Sequence, residues 1–131
     1  MFKNSPAFSG FSVNDLDAAK AFYADTLGLD VVEEPAGLGL KFANGGQVFL
    51  YPKEDHAPAT FTVLNFPVDD IDAAVDELTR KGMRFERYGV EMGQDEKGIF
   101  RGASQNAGPD IAWFTDPAGN ILAVMGGVAG S

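Results

Sequence analysis

Val13–Ala19 reads V-N-D-L-D-A-A, and Val68–Ala74 reads V-D-D-I-D-A-A, 55 residues further on. Each copy follows a short apolar run that alternates like a strand, and each opens a segment with helical spacing. Self-similarity at a fixed offset is the mark of a repeated supersecondary unit. A chain that writes one strand-to-helix junction twice is constrained to two similar halves, each with its own helix and sheet.

In the first half, residues 7–13 alternate as a strand, with Phe8, Gly10 and Ser12 on one face and Ser9, Phe11 and Val13 on the other. Asn14 or Asp15 is placed to cap the following helix, and Asp17 in its first turn suits the helix dipole. Leu16, Ala19, Phe22, Tyr23 and Leu27 recur at three- and four-residue steps and form its buried stripe, with Gly28 as the stop. Strands are expected at Asp30–Glu34, Leu38–Ala43 and Gln47–Pro52, the last two joined by Asn44-Gly45-Gly46. In the second half Phe61–Val68 is the strand, Asp70 the cap, Ile71, Ala74, Val75 and Leu78 the stripe, and Gly82 the stop. Arg84–Tyr88 reads as the next strand, and Ile111–Thr115 and Ile121–Met125 as a hairpin around D-P-A-G-N. The expectation is a single α+β domain over 1–131, with one module at about 5–53, a linker at 54–59, a second module at about 60–126 and a frayed tail at 127–131. Each module follows a βαβββ order.

The helix stops Gly28 and Gly82 are 54 residues apart, but the hairpin glycines Gly46 and Gly119 are 73 apart. The 19 extra residues fall in Gly89–Pro109. A loop of that length in a small domain is either a lid over a site or an edge-strand excursion. Its titratable groups Glu91, Asp95 and Arg101 are the lid candidates.

Composition removes several classes of function. The net charge is −9 with a pI near 4.4, and only Arg80 and Lys81 are adjacent among the ten basic residues. Such a chain repels phosphate backbones and anionic lipid, so neither nucleic acid nor membrane is expected as a partner. No apolar run reaches the roughly 20 residues that span a bilayer. The opening M-F-K-N-S-P-A-F lacks the apolar core of a secretory signal, and a cytoplasmic location is expected. Zero cysteines exclude a thiolate nucleophile, a disulfide and Cys-ligated metal. No phosphate loop, dinucleotide fingerprint or Ser-His-Asp arrangement is present.

The stretches F-S-V-N-D-L-D-A-A-K-A-F-Y-A-D-T-L-G-L, F-P-V-D-D-I-D-A-A-V-D-E-L and W-F-T-D-P-A-G-N-I-L-A-V give the chain a likeness beyond its own repeat. Together they resemble the vicinal oxygen chelate superfamily, which includes glyoxalase I, extradiol dioxygenases and the bleomycin- and mitomycin-resistance proteins. The resemblance implies half-barrel sheets forming a concave cleft, helices on the outer face, and a homodimer. It also implies a divalent metal held by His, Glu or Gln on the first and last strand of each module. Counting back seven residues from Asp15 and Asp70 gives Phe8 and Val63. The G-N-x-x-E position of the last strand gives Ala123, and aligning Gly46 with Gly119 gives Leu50. None of these side chains has a lone pair for a cation, and a one-residue shift to Ser9, Thr62, Tyr51 and Val124 does not build a metal site. No metal and no cofactor is expected.

The cleft lining then comprises Phe8, Gly10, Leu50, Phe61, Val63, Trp113 and Ala123, an apolar surface of the kind that binds small molecules. Trp113, the sole tryptophan, suits stacking on a flat ligand. Its first-half counterpart is Leu40 or Lys41, and Tyr23, Tyr51 and Tyr88 read as structural. His56, the lone histidine, sits in the charged linker. The function this implies is metal-free binding or sequestration of a small, partly aromatic molecule. The alternatives are a metal-independent isomerase or lyase using Lys41, Glu91, Asp95 or Arg101, and a metal enzyme with ligands relocated around His56.

Overall fold

The computed structural model describes residues 1–89 and 92–127. The first unit, Met1–Pro58, holds β1 (Ser9–Val13), α1 (Leu16–Ala21) with a π-helical continuation over Phe22–Thr26, β2 (Asp30–Glu34), β3 (Gly37–Lys41) and β4 (Gln47–Pro52). The second, Ala59–Ser131, holds β5 (Thr62–Val68), α2 (Ile71–Arg80), the two-residue β6 (Phe100–Arg101), a 3-10 turn at Ala103–Gln105, β7 (Asp110–Thr115) and β8 (Ile121–Gly126). Each unit carries one four-stranded sheet, in the orders β1-β4-β3-β2 and β5-β8-β7-β6. The first strand of each lies parallel to the last, and the remaining pairs are antiparallel. The fold is α+β in two βαβββ modules.

The duplicated junction does the same work in both copies. Asp15 Oδ1 accepts from the Ala18 amide at 3.1 Å, and Asp70 Oδ1 accepts from the Ala73 amide at 3.0 Å. Each carboxylate satisfies an amide that the first helical turn leaves without a partner. Behind each helix lies a buried sheet face. In the first unit it comprises Phe11, Val13, Leu38, Leu40, Val48 and Leu50 against Ala19 and Tyr23. In the second, Ala112, Phe114, Leu122 and Val124 pack with Ile71, Val75 and Leu78.

Cross-strand register corrects the alignment of the halves. Both hairpins close with the same pair of bonds, Phe42 N to Gly46 O and Gly45 N to Phe42 O in one, Asp116 N to Asn120 O and Gly119 N to Asp116 O in the other. The glycine with positive φ is therefore Gly45 (94°), the counterpart of Gly119 (83°), and not Gly46. Leu50 pairs with Phe11 and with Leu38, so it corresponds to Val124 and lies beneath the helix, fully buried. The counterpart of Ala123 is Phe49.

The expected strand at Arg84–Tyr88 is absent. Its backbone groups go instead to one bond from the Glu86 amide to the Trp113 carbonyl (2.7 Å) and to the side chain of Gln94. That amide accepts from Tyr88 N at 2.9 Å and donates to the Glu86 carbonyl at 2.8 Å and the Gly98 carbonyl at 2.6 Å. Beyond it, Phe100 and Arg101 supply the fourth strand against Ile111 and Asp110. Within the described residues, 92–109 thus make an edge-strand excursion.

Candidate functional site

Each sheet has a face turned away from its helix, and the paired residues show what it carries. In the first unit the central row is Gly10, Phe49, Gly39 and Val32. In the second it is Asn65, Ala123 and Trp113. Gly39 and Phe49 thus correspond to Trp113 and Ala123: a small residue faces a large aromatic one in both, with the roles exchanged. Trp113's counterpart is Gly39, rather than Leu40 or Lys41.

The second unit places Thr60, Phe61, Thr62, Tyr88, Trp113 and Ile121 around a depression of about 250 Å³. Phe61 is 67% exposed and Tyr88 43%, unusual for aromatic rings with no apolar cover. Tyr88 and Trp113 meet edge to face, centroids 5.3 Å apart at 74°. That contact fixes two walls at roughly a right angle and leaves ring faces for a flat guest. Burial, and then the neighbouring Glu86 carboxylate, push the Tyr88 phenol up from its usual value, so it remains a neutral hydrogen-bond donor near pH 7. Ala123, 1% exposed, is flanked across the strands by Asn65 and Trp113, and Val63 falls at a bulge between Thr62 and Leu64, half-buried. The sequence brought forward Phe61 and Trp113 but missed Tyr88, whose position depends on Gln94.

In the first unit Phe8, Glu34, Gly39, Lys41, Gln47 and Phe49 line a depression of about 310 Å³. Phe8 is 60% exposed just ahead of β1, and a Cβ on Gly10 would stand 3.0 Å from the Phe49 carbonyl. Lys41 Nζ lies 3.5 Å from Glu34 and also donates to Gln47 Oε1. Ser12, on the same face, has its Oγ 2.6 Å from His56 Nδ1, so the linker histidine has a partner that its sequence context did not reveal. Tyr51, 20° from coplanar with Phe49 at 6.3 Å, is partly exposed rather than a core residue. Tyr23 is fully buried.

Two of the lid candidates, Asp95 and Arg101, are engaged elsewhere. Arg101 alternates onto the helix side of β6, where it makes a bidentate pair with Asp72 on α2 (2.7 and 3.0 Å) and a bond to Asp95 at 3.0 Å. Lys97 reaches Asp72 and Asp76. Hydrogen bonds from Arg101 and then Lys97 bring the Asp72 carboxyl down to about 2. Burial alone would raise Asp95, but bonds from the Ile99 amide, Arg101 and the Lys97 amide outweigh it and lower it. These groups clamp the excursion onto α2. Glu91 lies outside the described residues. Arg87, Gly89, Gly93 and Gln94 line a third depression of about 390 Å³, and the Arg87 guanidinium already donates to the Asp95 and Glu96 carbonyls.

The metal that the resemblance implies does not fit this donor set. With register corrected the four positions are Phe8, Phe49, Val63 and Ala123, still without a lone pair. No group of three or more His, Asp or Glu that could hold a metal ion occurs among the described residues. No helix among them is long and apolar enough to cross a membrane.

Residues 9–124 match the family described as Glyoxalase/Bleomycin resistance protein/Dioxygenase superfamily. Among solved structures, a glyoxalase family protein from Enterococcus faecalis is 21% identical, covering 95% of this chain and 99% of its own, at a TM-score of 0.66. A lactoylglutathione lyase from Agrobacterium tumefaciens is 22% identical with 94% of both chains covered and a TM-score of 0.64. An antibiotic binding protein from Streptomyces sp. CB03234 is 22% identical, covering 92% of this chain and 94% of its own, at 0.61. At such identities the likeness is one of fold. No curated protein matches the sequence.

Proposed function

The chain belongs to the glyoxalase/bleomycin resistance protein/dioxygenase superfamily, and we propose that it binds a small, partly aromatic molecule without a metal, in the depression framed by Phe61, Tyr88 and Trp113. The observation that supports this reading is the exposure of Phe61 and Tyr88 beside the half-buried Trp113, with the Trp113 and Tyr88 rings set edge to face at 74°. Affinity comes from buried apolar area and stacking rather than chelation. One fold relative is an antibiotic binding protein, which is the chemistry this reading shares. We also propose a cytoplasmic homodimer, to be read by sedimentation equilibrium.

Calorimetric titration of a panel of planar aromatic compounds tests the site. A compound that binds the native protein is expected to lose roughly tenfold or more in affinity on Trp113→Ala, the worth of one lost stacking wall. Equal binding by the folded variant, or no binding across the panel, refutes the reading.

A second reading has one observation behind it, the 2.6 Å contact of Ser12 Oγ with His56 Nδ1. Such a pair is the start of a proton-transfer site. A metal-independent isomerase or lyase built on it turns over in chelator and loses turnover in His56→Ala. In either case the purified protein is expected to hold no stoichiometric divalent metal by elemental analysis.

A further inference from the structure

The first-unit depression has a different chemistry from the aromatic one. Gly39 is part of its lining, and it holds two acceptors, the Glu34 carboxylate and Gln47 Oε1. Both act on one ammonium group, that of Lys41. Phe8 and Phe49 line the same depression, and Phe8 is 60% exposed. Carboxylate, amide oxygen and aromatic rings around one small volume form a receptor for an organic cation: the oxygens take its N–H groups, and a ring face takes its charge.

We propose that this depression is a second binding site, for a primary ammonium group carried on an aromatic body, and that Lys41 occupies it in the absence of ligand. The lysine side chain is the protein's own stand-in for the guest. It lies across Gly39, where an added Cβ would stand 2.6 Å from Glu34 Oε1 and 3.3 Å from Lys41 Cε, so the missing side chain is what lets the pair form there. The Lys41 and Glu34 side chains are 38% and 35% exposed, and an ion pair this open to water is held weakly and exchanges readily. A net charge of −9 raises the local concentration of cations at the surface and disfavours anions. In the second unit the counterparts of Lys41, Gln47 and Phe49 are Thr115, Ile121 and Ala123, so the arrangement belongs to the first unit alone. Its lining comes from the first unit alone and shares no residue with the depression framed by Trp113.

Amide chemical-shift titration of the full chain with phenethylammonium, phenylacetate and 2-phenylethanol at pH 7 decides the matter. Phenethylammonium is expected to shift residues around Phe8, Gly39 and Phe49 and to bind more tightly than the other two probes. Lys41→Met removes the competing ammonium while keeping the apolar stem, and is expected to tighten phenethylammonium about two- to five-fold, the worth of one exposed ion pair. Glu34→Gln is expected to weaken it by at least as much. Both positions are exposed, and unchanged amide spectra remote from the site establish that the variants fold. Preference for phenylacetate, weakening on Lys41→Met, or shifts confined to the surroundings of Trp113 overturns the proposal.

Discussion

Asp116 is 4% exposed, and its carboxylate accepts from the Ala118 amide at 2.9 Å, the Asn120 amide at 2.8 Å and the Asn120 side chain at 3.0 Å. The D-P-A-G-N stretch therefore reads as a turn for a mechanical reason: one side chain closes the loop that its backbone opens. Asp116→Ala is expected to cost roughly 2–4 kcal/mol in urea denaturation, since three donors lose a charged acceptor at a buried site. Gly37 is constrained differently. A Cβ there would stand 2.0 Å from the Leu50 carbonyl oxygen, so Gly37→Ala forces two strands apart and is expected to destabilise the first unit by about 1–3 kcal/mol in the same measurement. At this scale the sequence was legible where one residue type has one use, as at the cap Asp70, while at the first helix it left Asn14 and Asp15 open and the structure selects Asp15. It misled at Gly45-Gly46, where two adjacent glycines look alike and only backbone conformation separates them. That single slip turned Phe49 into Leu50 and moved a candidate from the open face to the core.

Among elements, β6 and the segment before it departed furthest from expectation. Arg84–Tyr88 carries two aromatic residues, Phe85 and Tyr88, but a strand needs a backbone partner, and Gln94 takes that role through its side chain. No pattern of hydropathy encodes such a substitution. Gln94→Ala is expected to lower stability by roughly 1–3 kcal/mol, leaving a Tyr88 amide and two carbonyls without this partner. Because Tyr88 is a wall of the aromatic site, the same variant is expected to weaken ligand binding while Trp113 is intact. The excursion's anchorage to α2 carries a pH dependence. The Asp72 carboxyl is lowered from 3.8 to about 2 by Arg101 and Lys97, so its contribution is present above pH 4 and is lost as pH falls through 2. Hydrogen exchange over residues 94–105 is expected to be slow at pH 6 and to lose its protection toward pH 2, after correction for the intrinsic rate. Protection that persists in Arg101→Ala would show that the clamp does not hold the segment.

For the whole molecule the repeated plan was legible, because the duplicated junction and the family likeness rest on contiguous residues, while the second strand of the second module and the alignment of the hairpins were not. The site was legible in part. Gly10, Trp113 and Ala123 lie on the helix-free side, as alternation along a strand dictates, and Phe8 and Phe61 line the depressions from just ahead of their strands. Leu50, Tyr88 and the fates of Asp95 and Arg101 depended on contacts between residues far apart in the chain, which spacing alone does not carry. The two units share a plan yet present different chemistry on their open faces, Trp113 over Ala123 in one and Phe49 over Gly39 in the other. The central claim is binding by stacking without metal, and the sole tryptophan stands at the proposed site. Titrating the emission of Trp113 with planar aromatic compounds, with and without a chelator, tests it directly. Saturable quenching that the chelator leaves unchanged and that Phe61→Ala weakens is expected; quenching that vanishes with chelator, or none from any compound of the panel, would contradict metal-free stacking.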